Sequence, residues 1–196
     1  MKKHVILVII LVILITGAIG FYLYKNGKLT GQKPEEGAPQ TEENIVTKDG
    51  FSLKMPDGWT EVANPQGSLM TAVDANEVIT DVNAQQLNFR SYFSVIPDNL
   101  GDKTKEQYYQ EIKDSLKQAF PDVLFSREDT GVVDNKDTYF LEAEFNQEGV
   151  DFRVLLVINM GENDIWIISF NTLKSSWDNY KDVFYNTAKS FKVRQI

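Results

Sequence analysis

The stretch VDFRVLLVINMGENDIWIISF, residues 150–170, decides the fold. A strand points successive side chains to opposite faces, so a sheet wetted on one side shows a polar residue at every second position. Residues 154–158 and 165–168 instead carry apolar side chains at both parities. Both faces of the layer they form must therefore be covered.

Just upstream, residues 137–147 and 150–159 flank Glu148-Gly149, which reads as a two-residue hairpin turn. In that register Tyr139, Leu141, Ala143 and Phe145 share a face with Phe152, Val154, Leu156 and Ile158, all apolar. On the other face Glu144 stands opposite Arg153, Glu142 opposite Leu155 and Phe140 opposite Val157.

Two segments with helical period supply the cover. Thr104 and Gln107 make a capping-box pair, after which Tyr108, Tyr109, Ile112, Leu116, Ala119 and Phe120 fall on one face until Pro121 stops the helix. Ser175 and Asp178 read as a second box, followed by Trp177, Tyr180, Phe184, Ala188 and Phe191. Residues 51–55, 69–73 and 88–96 have strand character, and residues 74–87 read as a loop. Short connections make the sheet largely antiparallel. The expectation is an α+β protein, an α/β/α sandwich with one helix on each face of a central sheet, preceded by an N-terminal transmembrane helix.

That last element comes from residues 5–24, twenty positions without a charge. As a helix they span roughly 30 Å, the thickness of a bilayer core. Lys2 and Lys3 precede the run, Tyr22 and Tyr24 end it at interfacial depth, and Lys25 and Lys28 follow. Residues 1–30 are thus read as a membrane anchor, with the N-terminus in the cytoplasm and everything after the span outside it. The competing reading is a cleaved signal peptide with Thr16-Gly17-Ala18 at the cut, but Ile19, Phe21 and Leu23 continue the apolar run past that point.

Residues 31–44, GQKPEEGAPQTEEN, hold two glycines, two prolines and four glutamates, a composition that buries no core and makes a solvated tether reaching on the order of 20 Å. The outer domain is then 45–196. Of the chain's 28 acidic and 20 basic residues, four and five precede Ile45, leaving 24 against 15 and a net of -9 for that domain.

Composition removes whole classes of function. Net charge -8 repels polyanions, so nucleic acid is excluded as a partner. With no cysteine there is no disulfide, thiolate metal site or cysteine nucleophile. The single histidine is His4, so the outer domain has no imidazole for a hydrolase triad or a histidine-bound metal.

The sequence GFSLKMPDGWTEV, residues 50–62, resembles the strand, proline and tryptophan opening of PsbP-like domains, the family of the extrinsic photosystem II subunit and of bacterial relatives of unassigned role. The later order is similar as well: a strand ending at Ile96-Pro97, a helix from Thr104, antiparallel strands, and a terminal helix running into Lys189-Ser190-Phe191-Lys192-Val193. The resemblance implies a binding or assembly role without catalysis, no cofactor and no transferable functional residue.

Four constellations remain to be placed. Glu142 and Glu144 point to one face of a strand as an acid/base pair would, although Arg153 is positioned to neutralise Glu144. Asp98, Asn99 and Asp102, or Asp134, Asn135 and Asp137, offer oxygen ligands for calcium, but these are also ordinary turn residues. Trp59 and Trp177 would stack on a sugar or peptide, or else belong to the core. The expected function is a membrane-anchored binding or assembly module with a protein partner, not an enzyme. The alternatives are a carboxylate enzyme acting on an envelope polymer and a small-ligand carrier with a pocket between helix and sheet.

Overall fold

The computed structural model describes residues 44–64 and 67–194. The expected anchor, and the tether up to residue 43, lie outside them. Among the described residues no helix is long and apolar enough to cross a membrane.

In chain order the elements are β1 (Ile45–Lys48), β2 (Phe51–Lys54), β3 (Trp59–Glu61), β4 (Met70–Asp74), α1 (Val82–Gln86), β5 (Tyr92–Asn99), α2 (Lys105–Ala119), β6 (Leu124–Val133), β7 (Lys136–Gln147), β8 (Val150–Met160) and β9 (Asp164–Leu173). A 3-10 turn (Lys174–Ser176), α3 (Trp177–Lys189) and β10 (Lys192–Val193) complete the domain. Seven strands form one sheet in the order β3-β4-β5-β9-β8-β7-β6, with each neighbouring pair antiparallel. The fold is mixed α+β with antiparallel sheets and few helices.

Strand parity sorts the core into two halves. Leu141, Ala143, Val154, Leu156, Ile158, Ile165 and Ile167 pack with Tyr108, Ile112 and Leu116 of α2. The alternate positions Leu155, Val157, Trp166, Ile168 and Phe170 pack with Trp177, Phe184 and Ala188 of α3. Neither side of the central strands meets water, and the two helices face opposite sides. The Glu148-Gly149 hairpin has the expected register, with Tyr139 opposite Ile158, Phe145 opposite Phe152, and Glu144 opposite Arg153.

Helix α2 carries the complete capping box: Gln107 N donates to Thr104 Oγ1, and Thr104 N to the Gln107 side chain. Its last residue before Pro121, Phe120, leaves the helical region (φ -130°, ψ 89°), as the residue before a proline prefers. The start of α3 differs from the expected Ser175–Asp178 box. The chain enters through the 3-10 turn, Ser176 is the N-cap, and no side chain caps the helix. Burial of Trp177 and Phe184 fixes this end in place of a hydrogen bond.

Several further features depart from the sequence expectation. Strand β5 begins at Tyr92, because Asn88 takes a left-handed turn (φ 50°), and it runs on through Pro97 to Asn99. The proline is tolerated because β4 pairs with β5 only from Tyr92 to Val95, leaving that side of Pro97 without a neighbour. Residues 74–87 are not all loop, since α1 forms within them with Asp81 as its N-cap. The terminal helix stops at Lys189, and Lys192–Val193 is strand.

That strand belongs to a second, three-stranded sheet in the order β1-β2-β10, which the sequence did not suggest. Phe51 and Leu53 turn inward from it onto the α3 side of the core, where Phe51 meets Trp166 at 5.6 Å and Phe191 at 5.7 Å between ring centroids. Gly50 makes this approach possible: its φ is 86°, and an added Cβ would lie 2.9 Å from Trp166.

Candidate functional site

The expected carboxylate pair lies on β7, on the sheet face that carries α3. Glu142 is only 1% exposed. Its Oε2 accepts from Arg153 Nη2 at 2.5 Å and its Oε1 from the Tyr185 hydroxyl at 2.7 Å. Glu144, the residue directly across from Arg153, takes Arg153 Nη1 at 3.0 Å and Lys174 Nζ at 2.8 Å. Arg153 thus bridges both carboxylates, one across the strand pair and one on the diagonal.

Aromatic rings frame the network. The Arg153 guanidinium sits 4.4 Å from the Trp177 ring centroid, and Arg127, paired with Asp129, lies 5.5 Å from that of Tyr185. Burial and the bond to Glu142 push the Tyr185 phenol well up, so it stays a donor throughout the physiological range. Asp129, Arg127, Glu142, Arg153, Glu144 and Lys174 carry three charges of each sign. The arrangement ties α3 to β7 and β8. Both carboxylates are largely withdrawn from solvent and already hold charged or hydroxyl partners.

The oxygen clusters are likewise committed to holding the chain. Asp98 accepts from the Tyr108 hydroxyl at 2.5 Å and from the backbone of Asn99, while Asn99 Oδ1 accepts from Gly101 N at 2.7 Å. These residues and Asp102 line a cleft of about 760 Å³ beside α2, together with Gln107, Glu111 and Asp114. Asp134 and Asn135 form the β6–β7 turn with φ of 52° and 58°, the mirror-image turn favoured in hairpins. Asp134 accepts from Val193 N at 2.9 Å, whereas Asp137 pairs with Lys105 at 2.6 Å, so the structure draws the two acids apart. Among the described residues no three acidic side chains converge as metal ligands would.

Both tryptophans are core. Trp59, 9% exposed, packs on Phe93, Tyr180 and Phe184, and Trp177, 4% exposed, lies between Arg153 and Phe184. On the α3 side these packed rings fill the space between helix and sheet.

Sequence reasoning missed one polar cluster. Glu77 accepts from the backbone and hydroxyl of Ser91, whose Oγ lies 2.7 Å from Thr172 Oγ1. Tyr180 donates to Asp74 at 2.7 Å, and Arg90 caps the carbonyls of Asp74, Ala75 and Glu77. Burial raises the Glu77 carboxyl above the usual range, against the lowering effect of the two bonds from Ser91. The members lie far apart in the chain with no motif linking them. Together they pin the segment after β4 to the sheet.

The domain is an antiparallel sheet covered on both faces, with the Glu142, Arg153 and Glu144 side chains engaged in internal pairing. The sequence model of PsbP matches residues 42–193, and the chain belongs to the PsbP family, whose members are generally non-enzymatic. Among solved structures it is similar to cyanobacterial PsbP (CyanoP) from Synechocystis sp. PCC 6803, at 19% identity and TM-score 0.54, covering 85% of this chain and 100% of that one. LpqN of Mycobacterium tuberculosis, described as involved in cell envelope biogenesis, aligns at 15% identity and TM-score 0.59 over 77% of this chain and 90% of its own. PA94 of Pseudomonas aeruginosa, a protein of unknown function and putative regulator, aligns at 11% identity and TM-score 0.52 over 78% and 97%. No curated protein matches the chain by sequence. At these identities the structural likeness establishes the fold.

Proposed function

We propose that the chain is a membrane-anchored, extracytoplasmic binding or assembly module that acts through a protein partner and not by catalysis. Residues 5–24 cross the membrane, residues 31–44 hold the domain off its surface, and residues 45–196 form the recognition unit outside the cytoplasm. The observation that carries this reading is the double engagement of Arg153 by Glu142 and Glu144. The carboxylate pair on which an enzyme reading would rest is built into the attachment of α3. Family membership supports the same reading.

The test separates binding from chemistry. Full-length wild type and the Glu144→Gln variant are assayed side by side for turnover of envelope glycans and for complexes isolated from the native membrane fraction. Equal partner recovery with no turnover in either supports the proposal. Turnover by wild type that Glu144→Gln abolishes would replace the proposal with the polymer-cleaving alternative.

A further inference from the structure

The small sheet presents an outer face whose charge opposes that of the molecule. Phe51, Leu53 and Val46 turn toward the core, so the alternate residues Ile45, Thr47, Ser52, Lys54 and Lys192 face outward. Arg194, whose backbone N bonds to Gly50 O, reaches back to Thr47 Oγ1 at 3.2 Å. Lys54, Lys192 and Arg194 give this face three cations. Among the described residues none of the three has a carboxylate partner, in a domain whose acids outnumber its bases by nine. With Asp134 at its margin, the face lines a groove of about 690 Å³. Asp134 is already engaged by Val193 N.

The position of this face in the chain points to what it meets. Ile45, 56% exposed, is the first residue of β1 and lines the groove, so the tether joins the domain at the cationic face. A tether reaching on the order of 20 Å keeps that face at high effective concentration over the bilayer. Charges farther than about 8 Å from the headgroups are screened at physiological salt, so the orientation of the domain outweighs its net charge. We infer that Ile45, Lys54, Lys192 and Arg194 dock on the anionic phospholipid headgroups of the membrane that holds residues 5–24, setting the domain's orientation toward its partner. The inference rests on the anchor reading above.

The chain has no cysteine, so Ser52→Cys places a single fluorophore on the face and Gln110→Cys a control on α2. Each full-length labelled chain is reconstituted into nanodiscs containing a headgroup-spin-labelled phosphatidylcholine as quencher, with or without phosphatidylglycerol. The Ser52 label should be quenched at least twofold more in the phosphatidylglycerol discs. The excess should vanish in 0.5 M salt and in the Lys54→Glu, Lys192→Glu, Arg194→Glu variant, with the Gln110 label flat throughout.

Chain retained in the discs, with Ser52 quenching equal in both lipids at low salt, overturns the docking and leaves the anchor intact. Chain washed out of the discs at high salt overturns the anchor and the docking with it. Shielding of Ser52 that ignores lipid composition but is relieved by Glu42→Gln and Glu43→Gln would put the chain's own acidic segment on the face. Quenching that appears only when native membrane proteins are added would assign the face to an acidic protein. Either result overturns lipid docking.

Discussion

The Arg153 guanidinium on β8 lies over the ring of Trp177, the first residue of α3, at 4.4 Å from its centroid. One side chain therefore pairs with two carboxylates and also seats the start of a helix that has no side-chain cap. A cation over an indole adds about 0.5–2 kcal/mol, the upper end where water is excluded. That contact and the burial of Trp177 fix the helix entry.

Removing the arginine should cost far more than the contact itself. Arg153→Met leaves Glu142 buried with Tyr185 as its remaining donor, and stranding a buried charge costs about 3–5 kcal/mol. Adding Glu142→Leu to the same chain should recover most of the loss, because an apolar pair of similar volume avoids the desolvation penalty. Urea denaturation of the two variants checks this. Equal stability of the single and double variants would show that the ion pair does not hold the helix.

The Glu77 carboxyl should give a stability difference that grows with pH. Its folded pKa is raised from the ordinary 4.5, so folding favours the protonated form. The favourable contribution is complete below the unfolded value and is lost as pH rises through the folded one. Glu77→Gln cannot titrate, so its melting temperature relative to wild type should climb between about pH 4 and pH 7. A constant offset across that range would contradict the assigned burial.

The two helix starts make a matched pair. Thr104→Ala removes a formed capping box and should cost about 1 kcal/mol. Ser175→Ala, at the position where the sequence suggested a box and the structure has none, should change stability by less than about 0.5 kcal/mol. Thermal unfolding of both variants distinguishes them, and equal losses would mean that α3 is capped after all.

What the sequence disclosed was local or strictly periodic. The Glu148-Gly149 hairpin fixed its own register, and consecutive apolar residues at 154–158 and 165–168 reported cover on both sides. The α2 stripe and its Thr104 box needed only nearest neighbours along one helix. The misses depend on partners far away in the chain. Strand β6 is an edge with Arg127, Glu128 and Asp129 in its middle, so no apolar alternation marks it. Strands β1 and β10 are four and two residues long and exist because β2 lies between them. The pairing of Arg153 with Glu144 was legible from the register. The stronger embrace of Glu142 was not, because it needs Tyr185, placed by the packing of α3.

The account is tested most directly by the mass of the particle that full-length protein occupies when extracted from its own membrane in a mild detergent. It predicts a defined complex heavier than one chain with its detergent, containing a second protein in fixed ratio and formed equally well by Glu144→Gln. A lone chain at every detergent and salt concentration would contradict it.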